Sequence, residues 1–215
     1  MTQSEENYLK AVYHLEDSEA GTVNTNSIAD YIHTKPSSVT DMVKKLAEKG
    51  LLNYKKYQGV SLTGRGTKKA LSVIRKHRLW ETFLVEKLNF AWDEVHEVAE
   101  QLEHIESEKL INELDRLLGF PKSDPHGDPI PDKNGELEKQ HTHVLSVLPV
   151  NSSSICVGVR DTSVSFLNYL DKNKIALGDE IHILEKEAFD DSVHIKIGER
   201  TLHLSNRIAS NLLMK

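Results

Sequence analysis

KPSSVTDMVKKLAEKG, residues 35–50, decides the fold class of the N-terminal part of this 215-residue chain. Pro36 suits the first helical position, where no N–H is needed. Val39, Val43 and Leu46 recur at helical spacing as a core stripe, and Gly50 suits the stop. Ser37, Ser38, Thr40, Asp41, Lys44 and Lys45 lie off that stripe. Upstream, SIADYIH is a short helix with Asn24, Thr25 and Asn26 as capping residues. Before it, residues 3–17 carry Tyr8, Leu9, Val12, Tyr13 and Leu15 at helical spacing. Downstream, YKKYQGVSLTGRG (54–66) gives two strand-like runs around Gln58-Gly59, and Thr63 caps another helix. Helix, helix, turn, helix and hairpin is the plan of a winged helix-turn-helix, expected over residues 1–70. Its third helix enters the major groove and reads base edges.

Charge agrees with that plan. Ten Lys/Arg and two acids lie between Lys35 and Arg75, a local +8 in a chain of net charge −6. An isolated lysine run reads as a solvated face; the order of elements makes this one a nucleic-acid face, to which the hairpin adds Lys55, Lys56 and Tyr57. Double-stranded operator DNA is the expected partner. No apolar run approaches the length of a membrane span, and the acidic N-terminus lacks signal-peptide character, so a cytoplasmic protein without a membrane partner is expected. The single cysteine, Cys156, excludes an intrachain disulfide framework and a cysteine-rich zinc site.

Residues 71–120 read as a helical domain. Leu110, Ile111, Leu114, Leu117 and Leu118 form an apolar stripe broad enough for a subunit interface, and a two-fold dimer matches a two-fold operator. PKSDPHGDPIPDKNG holds four of the six prolines and reads as an extended linker, 121–140. Residues 141–215 carry short strand-like runs around one helix, VSFLNYLDKN, and are expected to form a small β-barrel. The class is α+β.

The chemistry lies in HEVAEQLEHIESEKL, 96–110. Read as a helix, it puts His96, Glu100, Glu103 and His104 on the stripe where apolar residues belong. RKHRLWE, 75–81, places His77 and Glu81 four apart on one face. Three carboxylates buried together would repel and pay a desolvation cost of several kcal/mol per charge. A divalent cation removes the conflict, and carboxylate and imidazole are donors that manganese, iron, cobalt, nickel and zinc accept. The remaining histidines, His126 among them, lack partners at ligand spacing and read as structural or solvated.

Together, KPSSVTDMVKKLAEKGLL, YKKYQGVSLTGRG, RKHRLWE, EVHEVAEQLEHIES and DPHGDPIP resemble the diphtheria toxin repressor family of metal-activated transcriptional repressors. The resemblance covers nearly the whole chain and implies that the C-terminal barrel is SH3-like. It also implies two metal sites. The ancillary site would use His77, Glu81 and His96; the primary site would use Glu100, Glu103 and His104, with a further ligand at Asn7. Two departures stand out. The first is Asn7, uncharged where the family places Met or Asp; Lys10, one turn on, falls where some manganese regulators place Glu, so their closely spaced two-manganese arrangement is not expected. The second lies in the barrel, where RDTSVSF offers Asp161 and Ser165 without a clear Glu or Gln as ligand. Glu100, where iron regulators of the family tend to have Cys, gives an all-oxygen-and-nitrogen primary site and favours Mn²⁺, with Fe²⁺ second.

The expected function is a homodimeric repressor of metal-homeostasis genes whose divalent metal acts as co-repressor. Two rivals remain: a DNA-binding protein with a structural, non-regulatory metal, and a two-metal carboxylate enzyme. Enzymes of that kind use Glu-x-x-His pairs; here Gln101 stands three before His104. No enzymatic activity and no small organic substrate are expected.

Overall fold

The computed structural model describes residues 1–18, 22–55, 58–138 and 140–215. The chain divides into two compact units. The first comprises Met1–Trp80, Glu100–Glu113 and Pro131–Leu137; the second comprises Glu81–Ala99, Leu114–Ile130 and Glu138–Lys215.

The first unit opens with α1 (Gln3–Ser18), α2 (Thr25–Tyr31) and α3 (Pro36–Glu48), followed by a hairpin of β1 (Leu52–Lys55) and β2 (Gly59–Leu62). Asn24 caps α2, its side chain accepting from the Asn26 N–H at 2.8 Å. Pro36 begins α3, and Gly50, at φ +67°, turns the chain into β1. In that left-handed turn the Leu51 N–H reaches back to the Leu46 carbonyl at 3.0 Å. The hairpin pairs Leu52 with Leu62 and Tyr54 with Val60, and Val23 adds a further rung by exchanging backbone bonds with Val60. Leu9, Val12, Ile28, Val39, Val43, Leu46 and Val60 close the core beneath. This is the expected winged helix-turn-helix. Lys56 and Tyr57, expected on the wing, lie outside the described residues.

α4 (Gly64–Leu88) and α5 (Val95–Leu102) contribute residues to both units, as does α6 (Glu108–Leu117). Thr63 starts α4, its Oγ1 accepting from the Gly66 N–H at 3.1 Å. The acid-and-imidazole helix ends earlier than its periodicity predicts. α5 stops at Leu102, and Glu103 and His104 lie in a turn closed by the Ile105 N–H on the Leu102 carbonyl at 3.1 Å. Leaving the helical register lets Glu103 point fully inward, with 0% exposure.

In the second unit β3 (His143–Val144), β4 (Ser153–Val159), β5 (Glu180–Lys186), β6 (Val193–Ile197), β7 (Arg200–Leu204) and β8 (Leu212–Met214) form one antiparallel sheet. α7 (Val164–Lys172) and the short α8 (Asn206–Ala209) complete it. The strand order is β3-β8-β4-β5-β6-β7. Among the described residues no pairing joins the edge strands β3 and β7 of this small SH3-like domain, and β3 is only two residues long, so its hydrogen-bonded sheet is not closed. The C-terminal SNRIASNLLMK supplies β8, inserted between β3 and β4 with Leu212 and Met214 buried.

The Pro-rich stretch is not an extended linker. Asp124 Oδ1 accepts from the N–H groups of His126 (2.9 Å) and Asp128 (3.0 Å), and the Ile130 N–H donates to the Lys122 carbonyl at 2.9 Å. The His126 carbonyl accepts from the Val159 N–H of β4 at 2.9 Å. Gly127 makes that approach possible: at φ +92°, a Cβ there would lie 2.2 Å from the Val157 carbonyl oxygen. Farther on, Asp132 Oδ1 accepts from the N–H groups of Asn134 and Glu136, both at 2.8 Å. Asp side chains supply local turns that the prolines cannot.

Candidate metal centre and DNA-reading face

On α3, Ser37, Ser38, Asp41, Lys44 and Lys45 are exposed, as is Lys55 on β1. Thr40 is half-buried and donates from Oγ1 to the Pro36 carbonyl at 3.1 Å, so its hydroxyl serves the helix. Lys45 is shared: its Nζ lies 3.0 Å from Glu5 Oε1, which also accepts from Lys49 Nζ at 2.6 Å. The Lys49 hydrogen bond is the largest influence on Glu5 and, with help from Lys45, overcomes the opposing effect of burial, bringing its pKa down to about 2. α1 and the reading helix are thereby clasped.

Within the same unit, Glu100, Glu103 and His77 converge on Lys10 of α1. Lys10 Nζ lies 2.6 Å from Glu100 Oε1 and 2.7 and 2.8 Å from the two Glu103 oxygens. His77 Nδ1 stands 2.7 Å from Glu103 Oε2. Burial alone would raise the Glu103 carboxyl, but the hydrogen bonds from His77 and Lys10, and their charges, win and lower it. His104 pairs through Nδ1 with Glu6 Oε2 at 2.5 Å, while its Nε2 stays 3.7 Å from Glu103 Oε1. Asn7 Oδ1 is buried without a hydrogen-bond partner among the described residues. Three of the residues expected at the primary site thus meet a lysine or another glutamate. As it stands this set does not fit a metal ion between Glu100 and Glu103, because three of their four carboxylate oxygens are engaged by an ammonium.

The second unit holds a different group. Glu81, Asp124 and His126 are all buried, and one ligand atom from each lies within 4.8 Å of the others. His126 Nε2 lies 2.8 Å from the Trp92 carbonyl oxygen, which can only accept, so Nε2 carries the proton. In the neutral ring Nδ1 is then the bare nitrogen, and it stands 3.7 Å from Glu81 Oε2. A backbone acceptor fixing the tautomer in this way is the usual outer shell of a metal-binding histidine. The Trp92 indole stacks on the imidazole and is itself pinned by Nε1 donating to Asp171 Oδ2 at 3.0 Å. Burial disfavours the charged imidazolium, but hydrogen bonding and charge from Glu81, with Asp124 adding to them, raise its pKa to about 8. Two carboxylates and one oriented imidazole fit a divalent ion, which would displace that proton.

Glu81 also has His96 Nδ1 3.4 Å from its Oε1, at a largely exposed imidazole. Asp161 Oδ1 instead accepts from the Ser163 N–H at 2.9 Å, and Ser165 is exposed with its Oγ 3.4 Å from Ser163 Oγ. Sequence reasoning missed Asp124 and His126. Their signal was the DPHGDP turn, which places an acid and an imidazole two residues apart beside a glycine.

Comparison with known proteins agrees with this architecture. Residues 1–60 match the description "Iron dependent repressor, N-terminal DNA binding domain", and 63–132 match "Iron dependent repressor, metal binding and dimerisation domain". Residues 143–215 match the FeoA domain. A solved manganese-dependent transcriptional repressor in complex with manganese superimposes with a TM-score of 0.87 at 32% identity, over 98% of either chain. The chain belongs to the diphtheria toxin repressor family. Within it, the iron-dependent repressor IdeR of Mycobacterium leprae is 34% identical over 61% of this chain, which spans 56% of that relative's length. The regulator MntR of Oceanobacillus iheyensis is 34% identical over 57% of this chain and 82% of its own length. These family members are transcriptional regulators, not enzymes.

Proposed function

We propose that this chain is a metal-dependent transcriptional repressor that binds operator DNA as a homodimer and controls metal-ion homeostasis genes, with a divalent ion as co-repressor. The observation that carries the reading is the buried Glu81–Asp124–His126 trio in a chain that also presents an exposed winged-helix reading face. Glu81, Asp124 and His126 would hold the ion, whose charge would offset the two carboxylates. A site of oxygen and nitrogen donors without thiolate favours Mn²⁺ over softer ions, with Fe²⁺ second. His96, whose Nδ1 lies 3.4 Å from Glu81 Oε1, remains a candidate for a further ligand.

DNA recognition is assigned by role. Ser37, Ser38 and Asp41 face the groove, and Lys44, Lys45 and Lys55 meet phosphates. Dimerisation is supported by α6, where Leu110 and Leu117 are 41% and 60% exposed, and by Phe120 just beyond it at 61%. Large apolar side chains left in water near a helix end mark an interaction surface. Among the described residues no helix is long and apolar enough to cross a membrane.

The test is fluorescence anisotropy of a labelled fragment of the gene's own upstream DNA at fixed salt. Apo-protein is titrated with Mn²⁺ or, anaerobically, with Fe²⁺. Binding that appears only with metal supports the reading, and the lower midpoint names the ion. Equal binding in chelator makes any metal structural and defeats it.

A further inference from the structure

The contacts of Lys10 go beyond that reading. An ammonium has three N–H donors, and Lys10 Nζ has three carboxylate oxygens within 2.8 Å, one on Glu100 and two on Glu103. Its donors are saturated. Glu103, at 0% exposure, is held from another side by His77 at 2.7 Å. Lys10 is itself buried, so the cost of ordering and desolvating its long side chain has been met within the folded unit.

A divalent ion on the same oxygens would bind at about 2.0–2.2 Å. It would share acceptors with Nζ and sit a few ångströms from a like charge in a poorly screened site. The alternative, expelling Lys10, would require a buried lysine to leave two carboxylates it already satisfies. Neighbouring groups do not compensate: His104 Nδ1 is committed to Glu6, and Asn7 brings no charge.

We propose that Lys10 is the resident cation of the Glu100–Glu103 cluster, excluding metal from it and joining α1 to this acidic segment without metal. A metal bridge there would have made α1 metal-dependent; the ammonium makes it constitutive. α1 also carries Glu5, which holds Lys45 of the reading helix and Lys49 at its C-terminal cap. The run of contacts from α3 through α1 to Glu100 and Glu103 is therefore assembled at any metal level, and metal response falls to ligands outside this cluster. The regulatory meaning of this inference rests on the proposed repressor function; the exclusion of metal by Lys10 does not.

The experiment is equilibrium dialysis of the full apo-chain against Mn²⁺, with bound ion counted by electron paramagnetic resonance, for the unaltered protein, Lys10→Met, Lys10→Arg and Asn7→Ala. Lys10→Met is expected to bind one more Mn²⁺ per chain, and its unfolding temperature should rise with Mn²⁺ more than that of the unaltered protein. Glu103→Gln in that background should remove the added ion. Lys10→Arg keeps the cation and should leave the count unchanged. Asn7→Ala, in a chain that retains Lys10, should keep both count and midpoint within about twofold, which tests the idea even if Lys10→Met fails to fold. An equal or lower count in folded Lys10→Met, or loss of an ion on Asn7→Ala, overturns the proposal. Tight Mn²⁺ binding without any effect on DNA would defeat the repressor function while leaving the Lys10 assignment to be judged by these counts.

Discussion

In the first unit, Glu100 and Glu103 face a lysine whose three donors match three of their oxygens. In the second, Glu81 and Asp124 lie beside His126, whose proton sits on the nitrogen that faces the Trp92 carbonyl. Both clusters gather buried acids around a basic group, yet the basic groups differ in kind. An ammonium has no lone pair to offer a metal and can only compete with it. An imidazole oriented by a backbone acceptor can give up its second proton and become a ligand. On the proposed reading, similar carboxylate chemistry is neutralised by a lysine in one unit and left open to a metal in the other, according to which base folding brings to it.

Breaking the lysine cluster should have the largest effect. Glu103→Ala leaves Lys10 buried with one carboxylate in place of two and should cost about 3–5 kcal/mol. Lys10→Met combined with Glu103→Leu should recover most of that loss, since a buried ion pair replaced by apolar residues is often neutral. Chemical denaturation of Lys10→Met, Glu103→Leu and the double variant gives the cycle; additive losses would show that the two residues are not coupled.

The Glu81–Asp124–His126 cluster can be disturbed without touching any of its three side chains. Gly127→Ala would push a Cβ toward the Val157 carbonyl in a left-handed conformation, costing at least about 1–2 kcal/mol. It should weaken Mn²⁺ binding by displacing the neighbouring His126. Calorimetric titration checks this, and an unchanged Mn²⁺ affinity would mean that the turn does not position the imidazole.

A smaller effect is expected from the Glu5 clasp on acidification. Its folded pKa, about 2, lies below the ordinary value of 4.5. Its contribution to stability is therefore complete above about pH 4.5 and is lost as the pH falls toward 2. Glu5→Gln should flatten that part of the stability profile, as read by thermal unfolding between those limits.

What could be read from sequence follows the same division. α3 was legible because Pro36, the Val39–Val43–Leu46 stripe and Gly50 are local signals that tertiary packing reinforces. The hairpin was legible for the same reason. β8 was not: three residues are too few to show alternation, and the strand exists because β3 and β4 flank it. Asp124 and His126 were hidden in a Pro-rich run without helical or strand period, ordered by Asp-centred turns and by a glycine that lets β4 approach. The histidine-and-acid spacing of 96–110 showed that positive charge was needed there. It did not show that Lys10, 90 positions from Glu100 and 93 from Glu103, brings it. Nor did the helical period anticipate that α5 would end before Glu103.

The most direct measurement is the Mn²⁺ dependence of operator binding in His126→Ala, followed by anisotropy beside the unaltered protein at the same salt. Loss of an outer-shell partner typically weakens metal binding or activity about 10–100-fold, so removal of the ligand itself should shift the Mn²⁺ midpoint by about 100-fold or more, with the fold retained. A midpoint within a few-fold of the unaltered protein would contradict the assignment of metal control to Glu81, Asp124 and His126.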